Sequence, residues 1–553
     1  MGQVSRREWR WVTIFTIIAL FLLLLPYALG FSREGTQWRF SGFLVGVEDG
    51  NSYIAKMRQG SDGAWLYRLA YTSEPQRGAL IYLPYLLLGK LAAPPALHLQ
   101  LIALFHLARL AAAAGMIFVT YRFLAMFVAD ISLRRLGLLL ATLGGGLGWV
   151  QFASGSMTSW TSMPLEFYSP ESFGFLEAFT APHLAAAHAL LLLSLIFFLR
   201  GALSADRGGG WKAGAALLGA WLFQPLTVPI AWAVMAAYVA LIAIADRIGL
   251  RGRRLTPGSS WLRARPSQLQ LAFGHAARAV SLSFVPVVYS AAAFNLDPVL
   301  RQWTSQNLLP SPPAVEYLIS YGLLLLFAIP GFFAVVRRRE AGGVLLVGWL
   351  LVFPALVYFP INLQRRLADG FFVALLALAL GGYEFLEPRM PRGFPRLLRI
   401  LLVTLSLPAT VLVYVGSIRN ALQPASPGFL PASEVGILNW LDQNADPRSV
   451  VLCSFDTGNA VPAYTDLIPY IGHGPETLYL QEKLQSVNAF FAPGSTDSIR
   501  QEILDKTSAG WVILGPSERS QSLENDLARL SGLTLRFQAS DWQVYQVKAA
   551  SGP

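Results

Sequence analysis

Apolar runs alternate with short polar, arginine-bearing stretches from the N-terminus to about residue 417. Many of these runs approach the ~20 residues that cover a bilayer's hydrocarbon core, which predicts a polytopic α-helical membrane protein. The expected spans lie at about 11–31, 97–121, 136–152 and 184–200, then as two helices within 211–246. They continue at about 270–292, 314–336, 342–359, 368–385 and 400–417, about eleven in all. The long run 211–246 is divided at Gln224-Pro225, because proline inside a helix removes a backbone donor and clashes with the preceding turn. The run 79–92 is short and carries Pro84, so it reads as an interfacial helix rather than a crossing.

Beyond about residue 430 the pattern becomes that of a soluble domain. A capped helix is expected at 433–441, buried strands at 450–453 and 511–514, a helix at 520–530, and a hairpin of 533–537 with 542–547. The expected fold is therefore a polytopic α-helical module over 1–429, with an external first loop at 32–78, followed by an external α/β domain over 430–553.

Charge sets the orientation. The net charge of +11 is not the basic surface of a nucleic-acid binder, because the Lys and Arg residues lie between apolar runs. There they mark cytoplasmic loops. Arg6, Arg7 and Arg10 place the N-terminus inside, and Arg134, Arg135, Arg200, the linker 247–268, Arg337-Arg338-Arg339 and Arg389–Arg399 follow on the same side. An odd span count puts the C-terminus outside. The first apolar run lacks a small-residue cleavage site and is read as a retained span. The single cysteine, Cys453, excludes an intramolecular disulfide framework and a cysteine metal cluster. Arg365-Arg366 is the exception to the positive-inside pattern: it falls in an external loop and needs another reason to be there.

Candidate chemistry gathers on the external loops. Val47–Gly60 opens with Glu48 and Asp49, then places Tyr53, Ile54 and Met57 on one face with Lys56 and Arg58 beside them. A carboxylate here can act as a general base at the bilayer surface, with the Lys, Arg and aromatic groups holding a lipid phosphate. Alternatively Asp49 caps the helix and the charges are solvated. Arg365 and Arg366 form a dibasic clamp suited to a donor phosphate, or to ordinary lipid headgroups. Glu166 and Glu171, near Tyr168, either contact sugar or acceptor or belong to a solvated loop. His183, at the start of a span, is an acceptor-binding or metal-ligating group, or caps its helix. Asp456–Asn459 follows a strand and has the form of an anion cradle, and Gly472–Thr477 is a tight turn carrying His473 and Glu476. No His/Asp/Glu cluster occurs at fixed metal-ligand spacing.

With a first span, a long external loop carrying Glu48-Asp49, an interfacial helical region, many further spans and an external C-terminal domain, the chain resembles the GT-C superfamily of membrane glycosyltransferases. Protein mannosyltransferases and aminoarabinose transferases are among its members. In Pro182-His183 at a span entry, Arg365-Arg366 in a late external loop and Gly472–Thr477 in the tail, the chain is similar to uncharacterised bacterial membrane proteins. The resemblance implies a donor sugar carried on a polyprenyl phosphate, membrane lipid as the medium, and an acceptor that is lipid, glycan or protein. It maps the first-loop base onto Asp49, with Glu48 adjacent. Many members carry a second Asp in a later loop, where this chain has Glu166 and Glu171, and a divalent cation, magnesium or manganese, is the candidate cofactor. The expected function is an inverting glycosyltransferase on the external face of a bacterial plasma membrane. The alternatives are a transporter or flippase of lipid-linked saccharide, which calls for mid-span charges and repeat symmetry, and a non-catalytic scaffold with an external binding domain. Charges read here as lying at span ends weigh against transport.

Overall fold

The computed structural model describes residues 2–155, 163–204, 206–247, 266–338, 340–521, 527, 530 and 532–548. The expected linker 247–268 and helix 520–530 lie largely outside the described residues. Among those described, eight helices are long and apolar enough to cross a membrane: Arg6–Ser32, Leu97–Phe127, Pro182–Ser204, Thr227–Arg247, Leu269–Leu296, Ala314–Arg338, Gln364–Arg389 and Phe394–Leu422. The other three expected spans are helices of 13–15 residues, Ile131–Leu143, Gly209–Phe223 and Gly343–Val357, shorter than a straight crossing needs. The run 79–92 yields only the short helix Leu83–Gly89, in keeping with a segment that does not cross.

The chain divides into two compact units. The first, here the helical unit, comprises Met1–Leu24, Ala108–Ala292 and Leu308–Val415. Its core is wholly apolar at positions such as Leu195, Ile230, Val234, Leu345 and Leu375. Near the N-terminus, the buried Glu8 carboxylate accepts hydrogen bonds from Arg134 Nη1 at 2.8 Å and Tyr121 Oη at 2.9 Å. This pairing joins the N-terminal segment to the start of helix Ile131–Leu143. The expected span 136–152 is broken at Gly144-Gly145-Gly146. A side chain on Gly146 would stand 2.2 Å from the Ser320 carbonyl oxygen, so only glycine admits this approach. The chain resumes as Gly148–Ala153, whose first amide donates to Glu166 Oε1 at 2.6 Å.

The second, mixed unit comprises Leu25–Leu107, Ala293–Asn307 and Gly416–Pro553. Strands β1 (Trp38–Phe40) and β2 (Phe429–Pro431) form an antiparallel pair. Strands β3 (Val450–Leu452), β4 (Ile468–Pro469), β5 (Ala509–Leu514), β6 (Leu533–Ala539) and β7 (Trp542–Val547) form a sheet in the order β4-β3-β5-β7-β6. β3 runs parallel to β4 and β5, and β5, β7 and β6 are successively antiparallel, so the expected hairpin is present. Side chains alternate across it. Val451, Trp511, Ile513 and Val544 enter one core, and Leu452, Val512, Leu514 and Tyr545 enter another. The first of these cores also takes Phe43, Ile54 and Met57, so the first loop and the C-terminal residues share one hydrophobic interior. Helix Ala432–Asn444 follows Pro431 with no side-chain cap, unlike the expected capped start at Ser433.

Candidate functional site

In the mixed unit, helix Val47–Ser61 begins after Gly46, which adopts φ 61° and provides no side-chain cap. Asp49 therefore lies inside the first turn and does not cap the helix. The turn Gly472–Thr477 meets it, centred on His473, which is buried and stands against Tyr71 with ring centroids 5.1 Å apart. Glu48 Oε1 accepts the Gly474 amide at 2.6 Å and lies 3.8 Å from His473 Nδ1. Asp49 Oδ1 lies 3.5 Å from His473 Nε2. His473 Nδ1 is in turn approached by the Glu476 amide at 3.3 Å, which directs the proton of the neutral ring to Nε2, toward Asp49. Burial lowers the histidine pKa, but the Asp49 contact and the charges of Glu476 and Glu48 outweigh it and hold the pKa above the ordinary value. The Asp49 side chain is 67% exposed and faces solvent.

Lys56 and Arg58 do not form the lipid-phosphate site anticipated for them. Lys56 is buried, with its ammonium 2.6 Å from Glu476 Oε1 and 4.5 Å above the Tyr82 ring. Glu476 also accepts from Ser52 Oγ at 2.8 Å and Tyr67 Oη at 2.6 Å. Burial works to raise the Glu476 pKa, but the Lys56 and His473 charges and these hydrogen bonds leave it below the usual carboxylate value. Arg58 pairs with Asp442 and Asp466. Tyr53 stacks on Tyr85 at 4.9 Å and on Phe105 at 6.0 Å. Asp456–Asn459 lies within helix Phe455–Tyr464, capped by Ser454, and is not a loop that cradles an anion. A cavity of about 530 Å³ lies beside Glu48 and is also lined by Glu434, Asp456 and Asn459.

In the helical unit, Glu171 stands 3.9 Å from Arg365 Nε and 3.8 Å from Arg366 Nε, and the Arg365 guanidinium lies 4.9 Å from the Tyr168 ring. The structure thus brings together Glu171, Tyr168, Arg365 and Arg366. Glu166 is separate. Its oxygens accept from the Gly148 amide and Ser320 Oγ, both at 2.6 Å. Burial raises its pKa and the Ser320 and Gly148 bonds oppose the rise. It belongs to neither a solvated loop nor an open sugar site, because it satisfies the backbone where the glycine break would otherwise leave a donor bare. His183 is buried in the first turn of helix Pro182–Ser204.

The sequence does not group Glu177 with His188 and Asp369, and it gives Arg109 no role. Glu177, His188 and Asp369, all buried, bring ligand atoms within 4.8 Å of one another and could hold a metal ion. His188 is a polar residue within an apolar run, and Asp369 follows Arg365-Arg366 by three residues. That was the available signal. Arg109 lies well inside helix Leu97–Phe127 and donates to the carbonyls of Ala178 and Phe179 at 3.2 and 3.1 Å. The expectation that charges sit only at span ends is thereby corrected. This arginine secures the end of helix Gly174–Thr180, where carbonyls lack helical partners.

No protein-family model and no curated protein matches the sequence. Solved structures do. The chain is similar to ArnT from Cupriavidus metallidurans in the apo state, over 97% of both chains with a TM-score of 0.51 and 14% identity. It is also similar to the arabinofuranosyltransferase AftD from Mycobacteria, over 100% of this chain and 42% of the other, with a TM-score of 0.52 and 14% identity. A third match is the apo oligosaccharyltransferase of Archaeoglobus fulgidus, over 98% of this chain and 75% of the other, with a TM-score of 0.50 and 14% identity. At 14% identity these likenesses are ones of fold, in which long apolar helices precede a C-terminal sheet.

Proposed function

We propose that this protein is an inverting glycosyltransferase that moves a sugar from a polyprenyl-phosphate donor to an acceptor hydroxyl on the external face of a bacterial plasma membrane. The observation that carries this reading is the near full-length fold match with ArnT, which has also been solved with undecaprenyl phosphate bound. Asp49 is the proposed base. Its carboxylate is exposed beside the Nε2 of His473, so an acceptor hydroxyl can reach it. The base takes the hydroxyl proton as the acceptor oxygen attacks the anomeric carbon. The bond from that carbon to the phosphate oxygen breaks, and polyprenyl phosphate leaves with the bonding pair. Glu48, held by the Gly474 amide, orients the turn beside it. Arg365 and Arg366 are the proposed phosphate-binding pair: their guanidinium groups gather at Glu171, with Arg365 over the Tyr168 ring. Glu171 would orient these arginines, whereas Glu166 holds the backbone at the glycine break and Tyr53 packs against Tyr85 and Phe105. Residues 430–553 are proposed to lie outside the membrane.

Transfer of labelled sugar from a polyprenyl-phosphate donor, in membranes holding equal amounts of each variant, tests the reading. Asp49→Asn is expected to abolish turnover with donor binding retained. Arg366→Ala is expected to lose roughly tenfold to a hundredfold in donor use, from the roughly 1.5–3 kcal/mol of a charged hydrogen bond. Full activity of Asp49→Asn ends the assignment of the base, and unchanged donor kinetics in Arg366→Ala assigns the pair to lipid contact.

A further inference from the structure

The helical unit buries Glu177, His188 and Asp369 on three separate segments. Glu177 lies on helix Gly174–Thr180, His188 on helix Pro182–Ser204, and Asp369 between the turn Gln364–Ala368 and helix Phe371–Leu386. Their side chains are 1–5% exposed. His188 Nδ1 stands 2.9 Å from Glu177 Oε2 and 3.0 Å from Asp369 Oδ1, yet neither contact has hydrogen-bond geometry. Both Glu177 oxygens and Asp369 Oδ1 are left without a hydrogen-bond partner. Buried polar atoms seldom remain so.

We infer that Glu177, His188 and Asp369 form a buried site for a divalent first-row transition ion, and that the ion locks together the segments carrying Glu171 and the Arg365-Arg366 pair. Two carboxylates and a neutral imidazole carry a charge that a divalent cation cancels, whereas a protonated histidine would still leave one negative charge buried. The spacing fits as well. Neighbouring ligands of a six-coordinate ion with bonds of about 2.1 Å stand about 3.0 Å apart, against about 3.4 Å around a tetrahedral ion. An imidazole beside two carboxylates suits manganese or zinc better than the all-oxygen shells favoured by magnesium and calcium. Thr227 Oγ1 donates to the other Asp369 oxygen at 3.3 Å and so orients the carboxylate.

Glu177 follows Glu171 by six residues, and Asp369 follows Arg366 by three. An ion held here fixes the bases of both segments and thereby the Glu171 contacts to the two arginines. The inference does not depend on the glycosyltransferase reading, because metal content and thermal stability report on it directly.

The full-length protein, purified in detergent, is stripped with chelator, re-equilibrated separately with manganese, zinc or magnesium, and freed of unbound ion. Manganese or zinc should then be retained at about one ion per chain, with a rise in the apparent Tm that magnesium does not give. Thr227→Val, which keeps all three ligands, should weaken binding roughly tenfold to a hundredfold. Glu177→Gln and His188→Gln should retain no ion and show no chelator effect on their Tm. If the wild-type protein retains neither manganese nor zinc and its Tm ignores chelator, the inference fails and the cluster is an ion pair around a protonated histidine. Retention undiminished in Thr227→Val and the ligand variants also overturns it, by placing the ion elsewhere. Thr227→Val and the wild-type chelator response keep the test decisive if a ligand variant does not fold.

Discussion

Glu48 and Asp49 are neighbours in sequence but meet opposite nitrogens of one buried imidazole, and this separates their roles. Glu48 is tied to a backbone amide, whereas Asp49 faces Nε2 and solvent. Glu48→Gln keeps an oxygen for the Gly474 amide and is expected to be milder than Asp49→Asn in the transfer assay. The histidine itself gives a pH-dependent readout. Its folded pKa is raised, so its pairing with the acidic groups contributes stability that is fully present below the unfolded value, about 6.5. That contribution disappears as pH rises through the folded pKa. The difference in apparent Tm between wild type and His473→Gln should therefore be largest in mildly acidic buffer and shrink at higher pH. A difference that is flat across this window would mean that the ring titrates alike in both states. The sequence displayed both carboxylates and the Gly-His-Gly-Pro-Glu-Thr turn, but not their meeting, which depends on a fold that joins residues more than 400 positions apart.

At the scale of the element, helix Val47–Ser61 shows what periodicity can and cannot tell. Ile54 and Met57 recur at helical spacing and are fully buried, as the pattern predicts. Lys56 and Arg58 read from the same pattern as surface cations, yet both are buried because their carboxylate partners come from the far end of the chain. Glu476 is 420 residues from Lys56. A buried ion pair is costly to break from one side, since the remaining charge stays desolvated. Lys56→Met should thus destabilise the mixed unit by roughly 3–5 kcal/mol. Adding Glu476→Gln to Lys56→Met should recover part of that loss, as the stranded charge is removed. Apparent Tm values of the three proteins in detergent check this, and a double variant less stable than the single one would contradict it. The same blindness to distant partners explains Glu166, whose acidic character suggested solvent although its work is to satisfy the backbone at a three-glycine break. It also explains Glu177, His188 and Asp369, which no linear spacing groups together. The helices, the sheet and its hairpin were legible because their signals are local.

Across the whole molecule, the distribution of arginines predicts a sidedness that composition alone does not. Arg134 pairs with Glu8 at the N-terminal end of the helical unit, and Arg200 near the end of helix Pro182–Ser204, with Asp206, Arg207 and Lys212 after it, marks the segment read as cytoplasmic. Residues 430–553 are read as external from the odd number of expected spans, three of which are shorter helices than a straight crossing requires. The orientation therefore merits a direct measurement, and the chain is well suited to one. Its single cysteine, Cys453, is fully buried in the core beneath the sheet and should stay unreactive while the protein is folded. Cysteines introduced at exposed positions can thus be labelled against a quiet background. Ser498 lies exposed on helix Asp497–Thr507, and Ser204 is exposed at the end of helix Pro182–Ser204. With a membrane-impermeant maleimide on intact cells, Ser498→Cys should label at once, and Ser204→Cys only after the membrane is opened. If both label from outside, the arginine pattern has been misread at the Arg200 turn. If Ser498→Cys is protected while Ser204→Cys is protected too, one of the two short helices after Ser204, Gly209–Phe223 or Gly343–Val357, does not cross, and the proposed external transfer reaction loses its compartment.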